Sequence, residues 1–149
     1  MKIGIVINHI IYYYLDMNDN DFVILLVEDE KALRSAIKNT LEKKGFYVIT
    51  AVNVDQALHH LDDKDINVDT MWLDHYLLGE KSGLDFMAII KDKGYLESLL
   101  IYVVTNTAGY EKQETYIQLG AEKYFVKSDN KLDDIVDDMY TALLEIKKK

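Results

Sequence analysis

The chain has 149 residues, 49% of them hydrophobic and 29% charged, which is enough for one globular domain with a real core. A formal net charge of -9 excludes a protein that binds nucleic acid through overall basicity. The absence of cysteine excludes disulfides, thiolate nucleophiles and thiolate metal sites.

Residues 1–20 precede the first regular element and are predicted to be an N-terminal extension of uncertain role. The stretch from Ile3 to Leu15 is mostly apolar, as in a signal peptide, but Asn8 and His9 interrupt it and no small-residue cleavage site follows. It is also shorter than the roughly 20 apolar residues of a membrane-spanning helix. We therefore expect no membrane span and place the domain at residues 21–149.

From Phe22 onward, short apolar runs alternate five times with longer amphipathic stretches. The runs are Phe22–Val27, Tyr47–Ala51, Met71–Leu73, Leu99–Val104 and Tyr124–Val126. The first and fourth runs are nearly unbroken, which is typical of strands buried on both faces of a parallel sheet. The alternation predicts an α/β fold in which helices cover both faces of that sheet.

The stretches between the runs carry helix signals. Asn53 followed by Gln56 predicts an N-terminal cap for the second helix, and the third helix is predicted to begin near Ser82 and to end at Gly94. The last helix has the clearest apolar stripe, which includes Leu132, Ile135, Val136, Met139, Leu143 and Ile146.

Charged and hydroxyl side chains follow the predicted strands. Glu28, Asp29 and Glu30 follow the first strand, and Asp74, Thr105 and Lys127 end the third, fourth and fifth. Ligands of open α/β sheets bind beyond these carboxyl ends. Two carboxylates about 5 Å apart repel by roughly 3 kcal/mol at an effective dielectric constant near 20, so the cluster needs a proton or a cation. An oxygen-only set of ligands favours Mg²⁺.

These segments resemble the receiver domain of bacterial two-component response regulators. The matching stretches are Ile24 to Glu30, Leu73-Asp74 with Gly79 and Ser82-Gly83, Val103-Val104-Thr105, and Gly120 to Lys127. The resemblance implies a CheY-like, flavodoxin-like doubly wound fold with a five-stranded parallel sheet in the order 2-1-3-4-5. It also implies a stand-alone, cytoplasmic signalling domain spanning residues 21–149.

The same resemblance implies a role for each matching residue. Asp74 takes the position of the phospho-acceptor, with Lys127 and Thr105 as its catalytic neighbours. Glu28, Asp29, Asp74 and the backbone carbonyl of Tyr76 take the positions of the Mg²⁺ ligands. Thr105 and Tyr124 take the positions of the switch pair, in which the hydroxyl moves toward the phosphoryl group and the aromatic ring fills the space it leaves.

The implied function is a phospho-acceptor switch that catalyses only its own phosphorylation and dephosphorylation, and so is not an enzyme in the usual sense. The expected donor is a sensor histidine kinase or a phosphotransfer protein. The expected output is a downstream protein partner or a homodimer, bound through the face formed by the fourth helix, fifth strand and fifth helix. Direct binding to nucleic acid or membrane is not expected.

The sequence departs from the family pattern in ways that leave every reacting group in place. Ser128 stands where the family has a proline after its lysine, so the Lys127–Ser128 bond is either trans with a rearranged loop or a strained cis bond. Leu78 replaces a proline in the loop after Asp74, and Ser82 replaces an acidic residue. His75 could be mistaken for a phosphotransfer histidine, but strand alternation directs its side chain away from the acidic cluster.

Three other functional classes are compatible with an α/β fold of this kind. A pseudo-receiver that binds proteins without phosphorylation is disfavoured by the complete set Glu28, Asp29, Asp74, Thr105 and Lys127. A flavin binder needs a donor-rich loop after the first strand, where this chain has an acidic one. An aspartyl-phosphate hydrolase usually needs a second acid two residues after its nucleophile, and that residue is Tyr76.

Overall fold

The computed structural model describes residues 21–148 and contains five parallel strands that form one sheet. The strands are β1 (Phe22–Val27), β2 (Phe46–Ala51), β3 (Thr70–Leu73), β4 (Leu100–Thr105) and β5 (Lys123–Val126). Their order across the sheet is β2-β1-β3-β4-β5, as the family resemblance implied. The observed boundaries lie within one residue of those predicted from the apolar runs. The prediction about residues 1–20 lies outside the described part of the chain.

Five helices alternate with the strands. They are α1 (Lys31–Lys44), α2 (Val54–Asp62), α3 (Gly83–Lys93), α4 (Tyr110–Gln118) and α5 (Leu132–Lys147). The predicted cap of α2 is confirmed, since the Gln56 amide donates to the Asn53 side chain. The predicted start of α3 near Ser82 is also confirmed, and the structure adds a capping box that Ser82 and Asp85 form there. Gly94 ends α3 at a φ of 79°, a left-handed conformation that favours glycine.

The sheet separates two hydrophobic cores because alternate side chains of each strand point to opposite faces. Val23, Leu25 and Val27 pack on the side of α2, α3 and α4. Phe22, Ile24 and Leu26 pack on the side of α1 and α5. All six side chains of β1 are buried, which explains its unbroken apolar sequence. None of the helices in residues 21–148 combines the length and the apolar character needed to span a bilayer.

Candidate functional site

The acidic pocket, defined here as Glu28, Asp29, Asp74 and Lys127, lies at the carboxyl ends of β1, β3 and β5. The first three residues each offer a carboxylate oxygen, and these oxygens lie within 4.8 Å of one another. Glu28 and Asp74 are buried, with exposed fractions of 1% and 7%. The structure therefore brings together the three carboxylates that the sequence placed at the ends of two different strands, β1 and β3.

Lys127 provides the positive charge in this pocket. Its Nζ lies 3.0 Å from Glu28 Oε2 and 3.4 Å from Asp74 Oδ2. The described residues contain no cis peptide bond, so Lys127–Ser128 is trans, and a short 3-10 turn over Lys127–Asp129 follows β5. The serine in place of the family's proline therefore does not prevent the lysine from reaching the pocket.

The three carboxylates of the pocket exceed the single positive charge that Lys127 supplies. Burial raises the pKa of Glu28 to about 7, and the nearby Asp74 carboxylate adds to the rise, while the hydrogen bond from Lys127 opposes it. A divalent cation among these oxygens would remove the imbalance. The compact oxygen-only donor set fits Mg²⁺, which binds through a few carboxylates and keeps several waters.

Asp74 is oriented by the backbone around it. Its Oδ1 accepts a hydrogen bond of 2.7 Å from the His75 amide, and its own amide donates to Val27 of β1 at 3.1 Å. Its Oδ2 faces Lys127. One carboxylate oxygen is thus held by the main chain, whereas the other lies beside the ammonium group.

Arg34 also contributes to the pocket, although the sequence analysis did not identify it. Its guanidinium donates from Nη1 to the backbone carbonyls of Glu28 and Asp29, at 3.0 and 3.1 Å. The Glu30 amide donates to Glu28 Oε1 at 3.2 Å. These bonds fix the loop after β1. A motif search has no signal for Arg34, because its partners are carbonyl groups that every residue carries.

The two predicted switch residues lie beside the pocket without belonging to its carboxylate cluster. Thr105 is fully buried at the end of β4, and its hydroxyl accepts a long, 3.5 Å hydrogen bond from the Thr107 amide. The Tyr124 hydroxyl donates to the Thr107 carbonyl at 2.6 Å. Both side chains therefore bond to the backbone of the same loop residue after β4, Thr107, which links them.

His75 points to the opposite side of β3 from the acidic pocket, as strand alternation predicted. Its Nδ1 lies 2.6 Å from the Tyr116 hydroxyl and its Nε2 lies 3.2 Å from Lys112 Nζ. Burial, followed by the Lys112 charge, lowers the pKa of His75 and favours the neutral ring. Because an ammonium group can only donate, Nε2 accepts from Lys112 and Nδ1–H donates to Tyr116.

This imidazole connects the loop after Asp74 to α4. Tyr116 is fully buried and its ring lies 5.7 Å from that of Tyr124. Gly83 leaves room for this arrangement, since a Cβ there would collide with the Tyr116 hydroxyl and lie 2.9 Å from the Asp74 carbonyl oxygen. No sequence signal pointed to Tyr116, because it lies on a weakly amphipathic helix far along the chain from Asp74.

Tyr76, whose carbonyl was predicted to be a metal ligand, follows His75 in the same loop. Its side chain is 62% exposed. The Lys112 ammonium lies 5.4 Å from the centre of its ring. The role of its carbonyl stays a prediction.

Comparison with known proteins identifies the family. The family model for the response regulator receiver domain matches residues 24–139. The chain belongs to the response regulator receiver family. It is therefore a receiver domain of the kind found in two-component systems, and the predicted family and fold are confirmed.

Individual relatives agree with this assignment. The transcriptional regulatory protein CpxR of Escherichia coli K12 is 32% identical over 108 residues, which cover 72% of this chain and 43% of CpxR. The chemotaxis protein CheY1 of Helicobacter pylori is 25% identical over 105 residues, which cover 70% of this chain and 83% of CheY1. The chain thus spans less than half of the length of the transcriptional regulator.

Solved structures show the same fold. A CheY-like receiver domain protein from Methanospirillum hungatei superimposes with a TM-score of 0.74 at 21% identity, covering 85% of this chain and 97% of that protein. A receiver domain protein from Clostridium thermocellum gives a TM-score of 0.73 at 22% identity, covering 85% and 97%. At these identities the similarity establishes the architecture alone.

Proposed function

We propose that this receiver domain is a phospho-acceptor switch in which Asp74 accepts a phosphoryl group from a histidine kinase or a phosphotransfer protein. The observation that supports this most directly is the packing of three carboxylates within 4.8 Å of one another beside the Lys127 ammonium. Such a pocket matches the needs of phosphoryl transfer, in which catalysis comes mainly from positioning and from charge stabilisation.

Each residue of the pocket has its own role in the phosphoryl transfer. Asp74 attacks the phosphorus through a carboxylate oxygen, so a carboxylate O–P bond forms while the bond from phosphorus to the donor nitrogen breaks. Lys127 stabilises the negative charge on the phosphoryl oxygens. Glu28 and Asp29 would hold Mg²⁺ with Asp74 and the Tyr76 carbonyl. When bound, the ion supplies positive charge to the attacking carboxylate and the phosphoryl oxygens.

The phosphorylated product changes the surface through the predicted switch pair. The phosphoryl group adds acceptor oxygens and negative charge next to Asp74. The Thr105 hydroxyl, whose present bond is long at 3.5 Å, moves to donate to those oxygens. The Tyr124 ring then takes the vacated space and changes the partner-binding face of α4, β5 and α5. On this proposal the chain acts in the cytoplasm and turns over no substrate other than its own phosphoryl group.

Intact mass spectrometry after incubation with acetyl phosphate and Mg²⁺ tests the proposal. We expect one added phosphoryl group in the wild type and none in Asp74→Asn or in the presence of EDTA. If no adduct forms, a beryllofluoride titration monitored through Trp72 fluorescence distinguishes rapid hydrolysis from a missing acceptor function. The absence of both a phosphoryl adduct and beryllofluoride binding would contradict the phospho-switch. It would favour a pseudo-receiver that binds its partner without phosphorylation.

A further inference from the structure

A second acidic region lies away from the acidic pocket, between the start of β5 and the outer surface of α5. This β5–α5 groove has a volume of about 540 Å³. Its carboxylates come from Glu122, Asp134, Asp137, Asp138 and Glu145, and Lys123 and Tyr102 also line it. Lys44 pairs with Asp137 from outside the groove at 2.8 Å. The groove therefore carries a clear excess of negative charge.

The floor of the groove contains a polar atom that the protein leaves unsatisfied. Tyr102 is fully buried, yet within residues 21–148 its hydroxyl is one of only two buried side-chain polar atoms that lack a hydrogen-bond partner. Burial raises the pKa of the Tyr102 hydroxyl, and the charges of Asp138 and Glu122 add to the rise. A buried hydroxyl without a partner is costly, so a ligand atom that reaches it after the side chains covering it move aside would be favoured.

The protein itself shows which chemistry the groove favours. The Lys123 ammonium donates to both oxygens of Asp138, at 2.7 and 3.0 Å, although its side chain remains about half exposed. It is a partly exposed cation that pairs with a carboxylate at the edge of the groove. A guanidinium makes the same bidentate contact with better geometry and has further N–H donors available for a phenol oxygen.

The spacing of the carboxylates argues against a metal ion as the occupant. Among the described residues, Glu28, Asp29 and Asp74 form the one cluster of carboxylates close enough to hold a metal. Four of the five carboxylates of the groove are instead spread along the turns of α5, and the fifth, Glu122, precedes β5. Dispersed charges suit several basic side chains of an extended partner better than one compact ion.

A second copy of this chain also fits poorly. A two-fold contact through the face of α4, β5 and α5 would bring two acidic helices together. The exposed surface of α4 adds Glu111 and Glu114 against Lys112. Like charges brought together in this way oppose self-association.

We propose that the β5–α5 groove binds arginine-rich or lysine-rich segments of a partner protein, with Tyr102 and Asp138 receiving one basic side chain at its floor. The inference rests on the proposed function in one respect, since it takes the domain to act by binding a partner. It goes further by assigning the chemistry of that partner and the residues that recognise it.

The test uses the full chain labelled with ¹⁵N and a short capped peptide that alternates glycine and arginine, titrated at low and high salt. We expect the amide chemical shifts of Tyr102, Asp138 and the neighbouring residues of α5 to change on addition of the peptide. We also expect weaker binding at high salt. Tyr102→Phe removes the hydroxyl without changing the charge and is expected to weaken binding on the order of tenfold. Asp134→Asn combined with Glu145→Gln is expected to weaken it roughly twofold to tenfold.

Asp92→Asn combined with Glu97→Gln is the matched control, because it removes the same charge at exposed positions outside the groove. The inference is overturned if this control weakens binding as much as the groove variant. It is also overturned if Tyr102→Phe binds like the wild type, or if the shifts appear with increasing protein concentration and no peptide, which would indicate a second copy.

A beryllofluoride titration of the same samples separates this inference from the phospho-acceptor proposal. Beryllofluoride binding at Asp74 without peptide binding in the groove would overturn the inference alone. Peptide binding in the groove with neither beryllofluoride binding nor an acetyl phosphate adduct would support the inference and overturn the phospho-acceptor proposal.

Discussion

The acidic pocket and the β5–α5 groove both combine several carboxylates with one lysine, but they differ in burial and spacing. In the pocket, Lys127 is 15% exposed and the carboxylate oxygens crowd within 4.8 Å. In the groove, Lys123 is 48% exposed and the carboxylates follow the surface of α5. Crowded, buried charges interact strongly and suit a small divalent cation, whereas dispersed, hydrated charges interact weakly and suit long basic side chains.

The largest expected difference between the pocket and the groove is in how far each lysine controls the rate of phosphorylation by acetyl phosphate. Lys127→Met removes the cation beside Asp74, so we expect the rate to fall on the order of 10²- to 10³-fold, as when one preorganised charge-stabilising donor is lost. Lys123→Met removes an equal charge from the groove and should leave the rate within about twofold. The rates follow from intact mass spectrometry over time. If the phosphorylation rate fell equally in the two variants, the overall charge of the protein would control the reaction. That result would contradict a specific role for the lysine of the pocket.

Neutralising one carboxylate should change stability in opposite directions in the two regions. Asp74→Asn keeps an oxygen for the His75 amide but relieves repulsion with Glu28, so the metal-free protein should gain about 1–3 kcal/mol in the free energy of unfolding. Asp138→Asn loses an exposed pair with Lys123 and should cost about 0.2–1 kcal/mol. Urea denaturation in EDTA measures both. A loss of stability in Asp74→Asn would show that Lys127 already balances the pocket.

The dependence of stability on pH provides a weaker test of the same contrast. In metal-free protein the pKa of Glu28 rises from 4.5 to about 7 on folding, mainly through burial. Below pH 4.5 the Glu28 carboxyl group is protonated in both the folded and the unfolded protein. Between pH 4.5 and about 7 it is protonated in the folded protein alone. The contribution of Glu28 to the free energy of unfolding is therefore fully present below pH 4.5 and is lost as the pH rises through 7.

Urea midpoints measured in EDTA across this range should reveal that loss. Glu28→Gln should flatten the dependence, because glutamine does not titrate. Glu145→Gln, in the exposed groove, is the control and should leave the slope as in the wild type. If the slope persists in Glu28→Gln, another group is responsible.

Much of this arrangement was predictable, because periodicity and strand ends are local signals. Runs such as Phe22–Val27 identified the strands, and the parallel topology then placed Asp29, Asp74 and Lys127 at one edge. The contacts that could not be predicted from the sequence join residues far apart in the chain or involve main-chain atoms. Arg34 binds backbone carbonyls, and the hydrogen bond between His75 and Tyr116 joins residues 41 positions apart.

The last comparison is between two fully buried tyrosines, Tyr102 at the groove and Tyr116 in α4 near Asp74. Tyr102→Phe removes a hydroxyl without a partner and should stabilise the protein by about 1 kcal/mol. Tyr116→Phe removes the oxygen that accepts from His75 and should destabilise it by about 1 kcal/mol or slightly more. Urea midpoints measure both changes. A loss of stability in Tyr102→Phe would mean that its hydroxyl already has a partner in solution, such as a bound water, and that the floor of the groove is not open to a basic side chain.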